Sequence, residues 1–520
     1  MSTIKTTAII ITMISLGSKL LGFAREIVLA YFYGTSYVVD AYLMAIAIPG
    51  IVFGWIVSLS VSYTPIYTEV RVKSGEDNAK RFNNNIISIA ITIAIICAFI
   101  GVLFNNQIVS LAAPGFEGEV YNLTNRFLKV TVFSISINVF VQILISYLNC
   151  HNKFIASNIS TLIISSTQLL VVYISSKLGK EILIYGTILS YIAQLSLLLF
   201  FSYKNGYVYK YELKITPEIK QAFSILVPIF ISSMTIQINS FVNKAFASNL
   251  AEGSISALNY SGVIRYFIFY IFTVALTTMI YPMLSSSMAK NDINTIKRLV
   301  SKAITIIIIL FIPISVGAII LSEPAIFFVY QRGEFSSQST LMTSAALQMY
   351  SIGLAAVALR DVITKVFYSM KETKAIMYIS FLTVFACIIF STILIKPLEH
   401  AGLALAASLS DIITLPLFFY FLRIRLGNLG LKDSLTILIK SCISSVVMGL
   451  LVYFTFNYLN SSFEPGKIIT LLSIAASAAA GASIYFVLML LMKVEEMNYF
   501  TDLVKYFNKK VFNLINKRGQ

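Results

Sequence analysis

Apolar runs of about 20 residues or more recur along the whole chain, divided by short polar stretches that are often basic. Each run is long enough to cross the roughly 30 Å hydrocarbon core of a bilayer as a helix. A helix satisfies its own backbone hydrogen bonds in lipid. The alternating strands of a barrel would not produce such continuous runs. The pattern predicts an all-α integral membrane protein with about fourteen spans. Their limits are near 8–32, 37–68, 84–110, 122–149, 155–176, 182–203, 220–249, 255–286, 299–321, 338–369, 375–395, 400–422, 435–459 and 467–492. Several are longer than a perpendicular crossing needs and are expected to tilt or protrude. The first contains Lys19 and Arg25 and is followed by no small-residue cleavage pattern, so it reads as an uncleaved span.

Composition agrees with this pattern. The 520 residues are 58% hydrophobic and 12% charged, too apolar for a soluble chain of this length. The net charge of +16 would suit nucleic acid in a soluble protein. Here it suits basic loops that face the cytoplasm. Lys and Arg are concentrated in the loops after even-numbered spans, as in EVRVKSGEDNAKRF, KNGYVYKYELK and KNDINTIKRLVSK. That asymmetry puts both termini in the cytoplasm and leaves no role for nucleic acid. Cys97, Cys150, Cys387 and Cys442 are scattered through apolar segments, which fits neither a metal site nor a disulfide framework. The last stretch, 494–520, places Phe500, Leu503, Phe507, Val511 and Leu514 at helical spacing among lysines. It reads as an interfacial helix on anionic cytoplasmic lipids.

A weak internal repeat has an offset of about 219 residues, from GTSYVVDAYLMA at Gly34 to GSISALNYSGVI at Gly253. APGFEGE (113–119) then faces QRGEFSS (331–337), and LNCHNK faces FYSMKE. Six spans repeated in one orientation predict two six-helix lobes related by an axis along the membrane normal. The lobes would be 1–216 and 217–430, with two extra spans in 431–493.

Ionisable residues inside spans are costly and usually face a bundle interior or a watery cavity. The candidates are Lys19, Arg25, Lys244, Arg265, Arg360, Asp361, Lys365, Asp411 and Lys440. Asp361 and Lys365 are four apart and suit an ion pair on one helix face. Lys440 is placed to snorkel at a cytoplasmic helix end. Asp411 stands alone in SLSDIITLP and is either a proton or cation site or a buried hydrogen-bonded acid. Lys19, Arg25 and Lys244 have no acid one helical turn away, and the repeat brings Arg25 onto Lys244. Glu26 is adjacent to Arg25 and is expected to project elsewhere. With Arg265, and with Arg360 where it does not snorkel to the interface instead, these cations would form a positive cavity for an anion such as a pyrophosphate, which Arg binds bidentately. The motifs HExxH, GxSxG and the P-loop are missing, and His151 and His400 lie at span ends. Transport without catalysis, cofactor or metal is the resulting expectation.

The run SKLLGFAREIVLAYFYGTSYVVDAYLMAIAIP resembles the opening of the MurJ/MviN-type lipid II flippases, within the superfamily of drug exporters and polysaccharide flippases. Similarity continues in order through KSGEDNAKRF, APGFEGE, GSISALNY, YPMLS, the run from LSEPAIFFVYQRGEF to FYSMKETK, and KPLEHAGLALA. The resemblance implies two lobes around a cationic cavity in a bacterial inner (cytoplasmic) membrane. It implies alternating access that carries an undecaprenyl-pyrophosphate-linked sugar to the outer leaflet for cell-wall synthesis, with a functional link to cell-wall synthases. The polyprenyl tail would run beside the last two spans. Arg25 matches the second basic residue of the opening motif and Lys19 replaces its first Arg. Gly22, Gly34 and Asp40 fall on its glycine and Asp-Ala positions and are expected to be structural or gating residues.

The chain also departs from the family. Phe53 and Gly54 stand where the family has an Arg pair, and Val263 stands where it has an Arg, with Arg265 two positions later. The alternatives are therefore a flippase for another polyprenyl-linked glycan, of O-antigen, teichoic or capsular type, or a small-molecule antiporter. The antiporter would need acids in its cavity, and the cation set argues against it.

Overall fold

The computed structural model describes residues 2–497 apart from 291, 371, 464–465 and 495. Of the expected interfacial stretch 494–520, residues 498–520 lie outside the described residues, as does the side chain of Phe53. The regular secondary structure is all helical, with no strand among the described residues. The helices are α1 (Ser2–Tyr33), α2 (Tyr37–Ser74), α3 (Glu76–Leu103), α4 (Asn105–Ala112), α5 (Gly118–Thr131) and α6 (Ser134–Cys150). Next come α7 (Phe154–Leu178), α8 (Ile182–Lys204), α9 (Pro217–Ala247), α10 (Ser254–Ala289), α11 (Ile293–Ile320) and α12 (Ser322–Tyr330). The last are α13 (Ser337–Ile352), α14 (Leu354–Ser369), α15 (Thr373–Leu426), α16 (Leu431–Ser462) and α17 (Lys467–Leu491).

Among the described residues eight helices are long and apolar enough to cross a membrane, or ten when the bent pairs α5–α6 and α13–α14 each count as one span. The protein is a multi-pass membrane protein. The expected eleventh and twelfth spans are the two arms of α15, which kinks at Glu399 (φ 48°, ψ −129°), two residues after Pro397. The expected first, second and seventh spans are α1, α2 and α9, whose side chains are only partly described.

The repeat is visible in helix boundaries. An offset of 219 residues carries α5 and α6 onto α13 and α14, and both pairs bend, by 41° and 50°. The same offset carries α4 close to α12 and the pair α7–α8 onto the two arms of α15. Gly34 and Gly253, the glycines that suggested the repeat, both adopt positive φ, 55° and 88°, just before α2 and α10. Only glycine takes that conformation freely.

The chain divides into two compact units. The first comprises Met1–Val263, Tyr330–Met342 and Val384–Leu403. Its core includes Tyr63, Tyr67, Phe82, Ile86, Tyr147 and Leu148. The second comprises Ile264–Val329, Thr343–Thr383 and Ala404–Gln520, with Val300, Ile304, Ile307, Phe311, Val362 and Phe418 in its core. Packing follows membrane rules. On α3 the small residues Ala90, Ala94 and Ala98 are buried at four-residue spacing, while Ile95, Ile96 and Phe99 face outward. On α17 Ser473, Ser477 and Gly481 are buried in the same spacing, and Ile468, Leu472 and Leu491 are exposed. Lipid is as apolar as leucine, so along these stretches small residues that let backbones approach mark the helix contacts.

Candidate functional site

The charged segment of α1 is set by its packing on α7. Four polar pairs run in step along the two helices: Ser15 with Asn158 (3.0 Å), Ser18 with Thr161 (3.2 Å), Arg25 with Gln168 (2.7 Å) and Tyr33 with Ser175 (2.9 Å). This ladder fixes the rotation of α1 and turns the Arg25 guanidinium to Gln168. Arg25 also forms a salt bridge with Glu26, which corrects the expectation that Glu26 projects away from it. Neighbouring positions on a helix diverge by about 100°, but two long side chains can fold back to meet. Glu26 is buried, with its second carboxylate oxygen accepting from Asn259 on α10 (3.0 Å).

Lys244 on α9 joins the same neighbourhood. Its ammonium donates to the Leu43 carbonyl (3.3 Å) and lies in the electrostatic field of Glu26. Around Arg25 two cations thus face one carboxylate, Glu26, while the other buried carboxylate of this unit, Asp40, is bound to the Gly253 and Ser256 amides. Arg25 Nε is buried without a hydrogen-bond partner among the described residues. Lys19, six residues earlier on α1, is exposed.

The second unit contains its own charged cluster. Asp411 on the second arm of α15 forms salt bridges with Arg360 on α14 and, at 3.5 Å, with Arg265 on α10. The Arg265 guanidinium also stacks over the Tyr350 ring at 4.9 Å. Asp411 is therefore not solitary, and Arg265 and Arg360 are not unpaired. The partners lie too far away in sequence for helical spacing to reveal them. Removing a buried counterion from two guanidiniums leaves like charges together without compensation, and such losses cost about 3–5 kcal/mol. Asp411→Ala is expected to lower the thermal midpoint of the detergent-solubilised protein strongly, with Asp411→Asn lowering it less. An unchanged midpoint for Asp411→Ala would contradict this reading.

The remaining candidates fall in other settings. Asp361 and Lys365 form the expected pair at 2.7 Å. Lys440 donates to the Met492 carbonyl at the end of α17 (2.8 Å), so it caps a helix end as well as lying near one. No group of three or more His, Cys, Asp or Glu suited to a metal occurs among the described residues.

Asp40, Gly34 and their neighbours form a tight junction inside the first unit. Asp40 is buried on the first turn of α2, and its two oxygens accept from the amides of Gly253 and Ser256, both at 2.8 Å. It thereby satisfies amides at the start of α10, which have no partner within that helix. Tyr260 donates to the Gly34 carbonyl (3.1 Å), and Thr35 meets Ser339 (2.8 Å). A Cβ on Gly34 would lie 2.4 Å from the Glu334 carbonyl oxygen, so the loops touch backbone to backbone. A Cβ on Gly22 would meet nothing within 4 Å, so this glycine serves no close packing. Sequence reasoning missed Glu26, Gln168 and Asn259. Of these only Asn259 had a signal, because the repeat places it opposite Asp40.

A family profile described as lipid II flippase MurJ matches residues 29–475. A probable lipid II flippase MurJ from Buchnera aphidicola subsp. Schizaphis graminum is 26% identical over 510 residues, covering 95% of this chain and 97% of that protein. A solved structure of a lipid II flippase MurJ in an inward closed conformation superposes with a TM-score of 0.77 at 23% identity, covering 95% of this chain and all of that one. An inward-facing multidrug resistance MATE transporter of the MOP superfamily matches with a TM-score of 0.64 at 15% identity, over 82% of this chain and 99% of its own.

Proposed function

The chain belongs to the lipid II flippase MurJ family, and on that premise we propose that it carries lipid II from the cytoplasmic to the outer leaflet of a bacterial inner membrane. The single observation that supports this most is the partly buried cluster of Arg25, Glu26 and Lys244. A pyrophosphate carries the charge that such a cluster lacks. Arg25, held from one side by Gln168, presents a planar fork to it. Glu26 neutralises the cations until substrate arrives and competes with it afterwards, which favours release. Movement alternates access between the two sides of the membrane. No bond in the substrate is broken, so the protein is a transporter and not an enzyme.

The two repeats act as six-helix lobes, 1–216 and 217–430, and the polyprenyl tail runs beside 431–493. Both termini are cytoplasmic, and the stretch 494–520 rests on anionic lipid. The product feeds cell-wall synthases on the outer side. Asp411 serves as counterion to Arg265 and Arg360, and the membrane potential acts on the net charge that moves with the substrate.

One observation favours a second substrate. Phe53, Gly54 and Val263 replace family arginines, and Lys19 supplies a point charge where the family has a fork. These changes suit another polyprenyl-linked glycan with the same pyrophosphate. Expression in a strain depleted of its own lipid II flippase separates the two. Restored growth and cell shape support lipid II. Failure of a well-accumulated protein points to the other glycan.

A further inference from the structure

The connection between α8 and α9 does more than join two helices. It docks on the third and fourth turns of α3 by a regular set of bonds. Asn84 Oδ1 accepts from the Lys210 amide (3.2 Å), Ser88 Oγ from the Glu212 amide (3.0 Å) and Asn85 Oδ1 from the Lys214 amide (3.0 Å). Asn84 also accepts from the Tyr207 hydroxyl (2.7 Å), and the Tyr209 ring packs on Phe140 with centroids 5.1 Å apart. Every second amide is thus turned to buried polar side chains of α3. That is the geometry of an extended chain, whose intervening amides point the other way.

The side chains left outward are unusual for a linker. Val208, Tyr211, Leu213 and Ile215 are all exposed, Ile215 to 75%. Lys204, Lys210 and Lys214 are exposed among them, with Glu212 the one acid in the segment. Lys204 closes α8, one of the apolar spans, and Pro217 opens α9, the expected seventh span. Loops facing water alone are ordinarily polar. Apolar and tyrosine side chains mixed with lysine are what a membrane interface selects, with rings at headgroup level and ammonium groups reaching outward.

We propose that residues 204–215 are a docking surface for anionic phospholipid headgroups. The apolar side chains enter the leaflet edge, the lysines meet the headgroup charge, and the outward amides donate to phosphate oxygens. The bonds to Asn84, Asn85 and Ser88 hold the surface in shape, so a bound lipid also steadies this part of α3. This contact is distinct from the one expected of the stretch 494–520, and it does not depend on which glycan is carried.

The test uses the full-length protein in vesicles. Trp55 is the sole tryptophan, so Trp55→Phe with Tyr211→Trp creates a single reporter, and Leu213→Trp is a second reporter should the first misfold. Brominated phosphatidylglycerol and brominated phosphatidylcholine are compared as quenchers at equal mole fraction. Each lysine near an anionic surface strengthens attraction by about fivefold. Phosphatidylglycerol is therefore expected to quench at least about threefold more, and Lys204→Gln with Lys210→Gln and Lys214→Gln should bring the ratio towards one. Equal quenching by both lipids in the unsubstituted segment would overturn the headgroup preference. Absence of quenching by either would overturn lipid docking altogether and identify this face as one for an aqueous protein partner.

Discussion

Arg25→Ala is expected to abolish lipid II translocation, by more than about 100-fold, because two charged hydrogen-bonding groups of the fork are lost, each worth about 1.5–3 kcal/mol. The same substitution leaves Glu26 buried with one hydrogen-bond donor, Asn259, and only the more distant charge of Lys244, so instability contributes to the loss. A second variant separates these effects. Arg25→Ala combined with Glu26→Gln removes the uncompensated carboxylate and should restore accumulation in the membrane, while translocation stays at background. Arg25→Lys keeps the charge but loses the fork and should retain only a fraction of the rate. Translocation assays on equal amounts of membrane-inserted protein read all three.

Asp40→Ala has the second largest expected effect. Its carboxylate is the acceptor for two buried amides, those of Gly253 and Ser256. Leaving a buried donor unsatisfied costs about 1–3 kcal/mol. Two such losses are expected to lower the thermal midpoint of the purified protein clearly. Asp40→Asn keeps one acceptor and should fall between the two. The junction also joins α2 to the start of α10 and the loop around Glu334, so translocation should slow further than the loss of folded protein explains. A midpoint unchanged in Asp40→Ala would contradict the capping role.

Helices and spans were legible because span length and continuity follow directly from the thickness of the bilayer. The repeat was legible through Gly34 and Gly253, whose shared positive φ is a local backbone demand. The pair Asp361–Lys365 was legible because one helix face carries both ends. The charged clusters were not. Asp411 finds Arg360 and Arg265 across 51 and 146 residues of chain, distances at which helical periodicity carries no information. Arg25 and Glu26 are adjacent, and adjacency on a helix argued for separation. What brings them together is the register of α1 against α7, set by pairs such as Ser15–Asn158 that look unremarkable in sequence. The joining of two expected spans in α15 has a similar origin, since the chain turns at the single residue Glu399 with no intervening loop.

Whether the Arg25 cluster moves the pyrophosphate of lipid II across the membrane is read from the initial rate of lipid II translocation in vesicles holding the purified protein. The comparison is with the variant Arg25→Ala/Glu26→Gln at equal protein. Rapid, protein-dependent translocation is predicted for the unaltered chain, and none above empty vesicles for the variant. Equal rates for the two, or no translocation by folded unaltered protein, would contradict a role for the cluster in carrying the substrate.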